Sequence, residues 1–186
     1  MHRPFLVGDS VYLRPLEAAD LEGPYLSWLN DPEVTRFMES GAFPTTLSAL
    51  RRYAENVADA PDTVMLAIIE KTTDTHVGNI KPGPIHWIHR RADLGIMIGE
   101  RARWGRGYGR EAVRLVLAYG FDRLNLNKIT LGVDADHGRA VRLYEGLGFK
   151  VEGTEREHRF RDGAYHDNVL MAILRADHGR AGTAGR

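Results

Sequence analysis

The stretch richest in possible chemistry runs Arg103-Trp-Gly-Arg-Gly-Tyr-Gly-Arg110, where Gly105, Gly107 and Gly109 alternate with Arg106 and Tyr108 between flanking arginines. Glycine adopts positive φ without strain, so such a loop can turn its N–H groups to one side. Behind it, Val113, Val116, Leu117, Gly120, Phe121 and Leu124 share one face of a helix expected over 109–124. A loop opening directly into a helix offers unpaired N–H groups and the positive end of the helix dipole, a setting for phosphate. Arg103, Arg106 and Arg110 would add charge-assisted hydrogen bonds. A solvated Gly/Arg loop that merely starts a helix fits the same residues, since glycine-rich loops also match by chance. Two other phosphate loops are excluded. No Gly-Lys-Ser/Thr ending follows, and neither the spacing nor the upstream half fits a dinucleotide fold.

Composition narrows the remaining chemistry. With no cysteine in 186 residues, disulfides, thiolate metal sites and a Cys nucleophile are all out. His86, His89, His137, His158 and His166 are scattered without ligand spacing, so no metal site is expected. Lys plus Arg equals Asp plus Glu at 25 each, so no overall field draws nucleic acid or an anionic membrane. An anionic ligand must therefore be held locally. Met1 to Gly8 lacks the apolar core of a signal peptide, and no stretch reaches the roughly 18 apolar residues of a membrane span. A cytoplasmic protein, monomer or homodimer, is the expectation.

The loop must be placed by the elements around it. Residues 10–16 alternate as a short strand, and Leu21, Tyr25, Trp28 and Leu29 predict a helix over 17–30. Asp31 can cap a following helix with Pro32 in its first turn, and another helix is expected over 46–58. Residues 63–70 and 76–80 read as a hairpin through Thr73-Asp74. Pro82 and Pro84 then imply a bulged or edge piece, and 93–99 is the next strand. After the long helix come a strand over 128–134, a helix over 139–146, and strands over 149–161 and 165–174 joined by Asp162-Gly163. Residues 177–186 show no pattern and read as a flexible tail. Strands and helices mix in one α+β (mixed α/β) layered arrangement.

On these residues the chain resembles the GNAT superfamily of N-acetyltransferases. Trp104-Gly-Arg-Gly-Tyr-Gly109 is similar to the family's pyrophosphate loop, Gln/Arg-x-x-Gly-x-Gly/Ala. Arg139-Ala-Val-Arg-Leu-Tyr-Glu-Gly-Leu-Gly-Phe149 resembles its second motif, and the strand expected between the two motifs is in place. The likeness covers roughly Val11 to Leu174 and is strongest from Val77 onward. It implies one domain over 1–176, with a central, mostly antiparallel sheet splayed at the cofactor site and helices on both faces. Acetyl-CoA would be the co-substrate. Backbone groups of Ile96, Met97 and Ile98 would pair with the pantetheine arm, and the pyrophosphate would rest on N–H groups from Gly105 to Arg110, including those of Tyr108 and Gly109. Two positions depart from the family. Trp104 stands where Gln or Arg is usual, as in the branch resembling ribosomal-protein N-terminal acetyltransferases. His137 stands where an Asn often contacts the cofactor.

The resemblance also implies catalytic groups. A neutral amine must attack the thioester and the departing thiolate needs a proton. Tyr144 matches the family tyrosine that offers its hydroxyl to the sulfur, although a tyrosine packed on a helix face would look the same. Asp93, eleven residues before Trp104, matches a carboxylate base of some members, or is a surface aspartate paired with Arg90 or Arg91. With the strand period, Asp93, Gly95 and Met97 should share a face. Glu100 and His86 are further candidates, and a water chain could replace any of them.

For the acceptor side, Tyr25, Trp28, Asn30 and Asp31 are expected from the first helices, with His158, Phe160, Tyr165, His166 and Asp167 from the last hairpin. Trp28 and Phe160 fit a core role better. Trp28-Leu-Asn-Asp-Pro-Glu-Val34, Gly78-Asn-Ile-Lys81, Arg156-Glu-His-Arg159 and Asp162-Gly-Ala-Tyr-His-Asp167 look like bacterial GNAT proteins that acetylate amino sugars. An amino sugar is therefore the first expectation. A protein N-terminal amine of the ribosomal type, a polyamine or an antibiotic amine follows, and a non-catalytic acetyl-CoA-binding module is the contrasting class.

Overall fold

The break in the first helical stretch follows directly from two residues. One helix was expected over 17–30, but a computed structural model, which describes residues 3–181, divides it into α1 (Ala18–Glu22) and α2 (Pro24–Leu29). Pro24 has no N–H to continue the ladder, whereas its fixed φ suits the first position of a new helix. Gly23 closes α1 by donating to the Asp20 carbonyl at 3.3 Å. Asp31 caps α3 (Pro32–Thr35) as expected, accepting from the Glu33 N–H at 2.8 Å. Thr46 caps α4 (Leu47–Asp59) through the Ala49 N–H at 3.2 Å.

The described residues form two compact units, one comprising the chain to Pro84 plus Gly95–Val116, the other Ile85–Leu94 plus the chain from Leu117 onward. In the first, β1 (Leu6–Val7), β2 (Val11–Pro15), β3 (Leu66–Glu70) and β4 (Thr75–His86) pair antiparallel in that order. β4 does not stop at its prolines. Its registered pairs with β3 end at Leu66–Ile80, so Pro82 and Pro84 lie beyond that ladder and need not donate to it. A core of Leu21, Tyr25, Trp28, Leu29, Leu50 and Met97 fills this unit. Trp28 packs so closely on Gly99 that a Cβ there would sit 2.0 Å from the indole. Only glycine can end the strand at that point.

β5 (Arg91–Ile98) and α5 (Tyr108–Ala118) each pass from one unit to the other along the chain. In the second unit, Arg91–Asp93 of β5 pair in parallel with Lys128–Thr130 of β6 (Lys128–Asp134). β6 continues antiparallel to β8 (Ala164–Leu174), which pairs antiparallel with β7 (Lys150–Arg161). The β7–β8 turn has φ of 53° at Asp162 and 80° at Gly163, the two positive values that a tight two-residue hairpin requires. α6 (Gly138–Glu145) precedes β7. The long helix ends earlier than expected: after Ala118 the chain makes a π turn, with the Leu124 N–H donating to the Tyr119 carbonyl at 3.1 Å. Of the tail expected over 177–186, the first part is helical in α7 (Arg175–Ala181), and 182–186 lie outside the described residues. No helix among the described residues is long and apolar enough to cross a membrane.

Candidate functional site

In the first unit, the glycine-rich loop is built as a backbone cradle. Glu100 starts a 3-10 turn over Arg101–Arg103, and the loop then passes through Gly105 (φ 84°) and Gly107 (φ 87°) into α5. Both values lie in the left-handed region that side chains resist. Gly109 departs from expectation. It lies inside α5 without positive φ, and a Cβ there would make ordinary contact with Ile98 at 3.6 Å and Ile96 at 3.8 Å. The Glu111 N–H already donates to the Gly107 carbonyl at 3.0 Å, so Tyr108, Gly109 and Arg110 supply the first-turn N–H groups that no turn of helix precedes. Arg106 and Arg110 are exposed, whereas Arg103 is half-buried with its Nε hidden from solvent and without a hydrogen-bond acceptor among the described residues. A helix start behind two positive-φ glycines, with an orphaned guanidinium N–H beside it, is what a diphosphate would satisfy.

The loop is tied down on two sides. Trp104 donates its indole N–H to the Ile98 carbonyl at 2.7 Å, joining the loop to the end of β5. One lone pair of a carbonyl expected to meet the pantetheine arm is thus already in use. On the other side stands Glu70, the last residue of β3. It accepts from the Tyr108 hydroxyl and from Thr73 at 2.5 Å, and pairs with Arg103 at 2.9 Å and Arg106 at 4.0 Å. The Thr73 and Tyr108 hydrogen bonds, helped by the two guanidinium charges, hold its carboxyl below the ordinary range. The same contact with Glu70 raises the Tyr108 hydroxyl. Sequence reasoning missed Glu70. The available signal was an acid closing the wholly buried run Leu66-Ala-Ile-Ile, because a buried carboxylate demands cations.

Ile96, Met97 and Ile98 occupy the last half of β5 as expected, but the expected facing does not hold. Ala92 and Leu94 are buried, then Met97 rather than Ile96, so the alternation slips by one residue after Leu94. Asp93 and Met97 therefore do not share a face.

In the second unit, Asp93 is exposed and its carboxylate accepts from the Thr130 hydroxyl, not from Arg90 or Arg91. Tyr144 lies on α6, is 9 % exposed, and packs edge-on against Phe149 with ring centres 5.6 Å apart. Its hydroxyl makes no hydrogen bond among the described residues, and burial pushes it up to about 12. His137 is the residue before α6. Its N–H donates to the Asp134 carbonyl at 2.9 Å, and burial holds its ring below the ordinary histidine value. The neutral ring can still donate one hydrogen bond.

The acceptor-side expectations divide. Tyr25 and Trp28 belong to the first unit's core, and Asn30 staples the chain by bonding Leu26, and Thr45 twice. Asp31 caps α3 and lies 3.7 Å from Arg101. Phe160, expected in a core, is 67 % exposed and rests against Tyr165. His166 stands 2.7 Å from Asp136, while Arg161 joins Asp136 at 2.9 Å to the buried Asp134. Between Glu155–Asn168 and Arg159–His166, β7 advances four residues against two on β8. This bulge carries Glu157 at φ 52° and opens a pocket lined by Arg156, Glu157 and Asp167.

Comparison with known proteins places the chain among acetyltransferases. The family pattern described as acetyltransferase (GNAT) domain matches residues 10–150. A spermidine N(1)-acetyltransferase of Escherichia coli is 31% identical over 166 residues, covering 89% of this chain and 86% of that one. An uncharacterized N-acetyltransferase of Bacillus licheniformis, p20, is 30% identical over 176 residues, covering 93% of this chain and 97% of that one. Among solved structures, spermidine N-acetyltransferase from Vibrio cholerae in complex with CoA and spermine superposes with a TM-score of 0.84 at 27% identity, covering 92% of this chain and 99% of that one.

Proposed function

The chain belongs to the GNAT acetyltransferase family and is an acetyl-CoA-dependent N-acetyltransferase, and from that premise we propose that its acceptor is a polyamine. The observation that carries this reading is the near full-length likeness to two spermidine acetyltransferases, one of them holding CoA and spermine. An amino sugar was the first expectation from sequence, but several residues of the segments behind it are taken up by packing and internal bonds. Trp28 and Val34 are core residues, Asn79 is buried, and Lys81 donates to the Tyr53 hydroxyl at 3.2 Å. His166 is committed to Asp136.

Acetyl-CoA supplies an acetyl group activated as a thioester. The residues that would hold its diphosphate are the N–H groups from Gly105 to Arg110, with the Arg103 Nε beside them. The amine nitrogen bonds the carbonyl carbon, the carbon–sulfur bond breaks, and the sulfur leaves with a proton. We assign that proton to Tyr144, which regains one from the nitrogen as the amide forms. With its hydroxyl near 12, Tyr144 keeps its hydrogen at neutral pH. So weak an acid contributes chiefly through a hydrogen bond to the developing thiolate, with proton transfer late in the step. An aliphatic amine has a pKa of about 10 and must first lose a proton. Asp93, exposed and steadied by Thr130, takes it directly or through water.

Thiol release from acetyl-CoA, measured across spermidine, spermine, amino sugars and N-terminal peptides, tests the reading. A kcat/KM for a polyamine at least about tenfold above the other classes is the expected result. Turnover confined to amino sugars or peptides would overturn it.

A further inference from the structure

Glu70 is 33 residues from Arg103 and 38 from Tyr108 in sequence, yet its two carboxylate oxygens are divided between them. Oε1 takes the Tyr108 hydroxyl and Oε2 takes Arg103 at 2.9 Å and Thr73 at 2.5 Å. Arg103 and Tyr108 lie on either side of Trp104–Gly107, the segment holding both positive-φ glycines of the loop. We propose that Glu70 is a positioning residue of the donor site: it clamps the two ends of the glycine loop so that the N–H groups are preset for the diphosphate of CoA.

Charge alone would argue against such a residue, because a carboxylate beneath a diphosphate repels it. The pairing with Arg103, and the nearness of Arg106 at 4.0 Å, cancel that repulsion. What remains is shape. Glycines lose the most conformational freedom on ordering, and a loop held at both ends has less left to lose when the ligand arrives. Preorganisation of this kind appears as affinity. The clamp is itself well founded: Glu70 is 2 % exposed and sits in register with Val11 on one side and Thr75 on the other. The Arg103 side chain is fixed by one nitrogen, which leaves its Nε N–H for the ligand.

The test is CoA affinity by calorimetry, which needs no acceptor and so stands apart from the polyamine reading. Glu70→Ala should weaken CoA about tenfold, from freeing two clamped side chains. Glu70→Gln still offers Tyr108 an acceptor but loses the ion pair, and should weaken CoA about threefold. In an Arg103→Ala/Tyr108→Phe background, adding Glu70→Ala should cost less than about twofold, because the clamp has nothing left to hold. Acetyl-pantetheine lacks the diphosphate, so its kcat/KM, read with whichever amine turns over, should stay within about twofold in Glu70→Ala. A role in general stability would lower both donors alike, and that result overturns the proposal. So does a Glu70→Ala or Glu70→Gln protein that binds CoA as tightly as the unaltered chain or more tightly. If Glu70→Ala does not fold, Glu70→Gln and Tyr108→Phe carry the same comparison.

Discussion

The glycine loop of the first unit and the β7–β8 hairpin of the second are built in opposite ways. The loop presents main chain: two positive-φ glycines, the N–H groups of a helix start, and arginines of which two remain exposed. The hairpin region presents side chains, several of them bound to one another, as Arg161 is to Asp134 and Asp136, and Asn168 to Glu155 and Arg159. A main-chain site depends on conformation and tolerates side-chain change. A side-chain network depends on each charge and can be retuned one residue at a time.

The largest expected effect separates chemistry from donor binding. On the role assigned here, Tyr144→Phe should lower kcat by roughly 100- to 1,000-fold while leaving KM for acetyl-CoA within about twofold. An equal rise in KM would place Tyr144 in donor binding and blur the division. Next is the hairpin network. Asp134 is 1 % exposed, so Arg161→Met strands a buried carboxylate and should cost about 3 kcal/mol in chemical denaturation. Asp136 is largely exposed, and Asp136→Asn should cost under about 1 kcal/mol. Comparable losses from both would mean that the network acts as one unit.

The smallest effect is the pH dependence of stability. Burial holds His76 below its ordinary 6.5, against the pull of Asp20. An unfolded chain therefore takes up a proton that the folded one refuses, and stability present above about pH 6.5 is lost as pH falls toward the folded value. His137, lowered by burial, acts with the same sign. Burial raises Asp20, but Arg14 at 2.6 and 2.8 Å, the Glu17 N–H and the His76 charge outweigh it, so its pKa ends below 3.8. Its contribution is present above that value and is lost at still lower pH. Thermal melts from about pH 8 to about pH 4 should fall on the acid side, with His76→Gln flattening the first part. An unchanged profile in His76→Gln would contradict this origin.

The turn of the glycine loop was legible because its signal is local. Glycines that must take positive φ stand beside the helix that they start, and Asp162-Gly163 announced its hairpin for the same reason. What stayed hidden depends on distance. Glu70 gained its meaning only from partners more than 30 residues away. The slip of the β5 alternation after Leu94 could not be read from a sequence that suits either phase. On the acceptor side, Trp28 and Asn79 carried a family likeness that reflects packing, while Phe160 is apolar yet lies on the surface. Pro24 was visible throughout, but apolar spacing continues across it and masked the break between α1 and α2.

Calorimetric CoA binding to Gly107→Val and Arg106→Ala tests the main-chain character of the donor site most directly. At φ 87° with open space around a Cβ, valine brings backbone strain without a clash. That strain, about 2 kcal/mol, should weaken CoA roughly 30-fold. Arg106 is half exposed and 4.0 Å from Glu70, so its loss should cost under about threefold. The reverse order, with Arg106→Ala abolishing binding and Gly107→Val sparing it, would show that side-chain charge rather than backbone shape holds the donor.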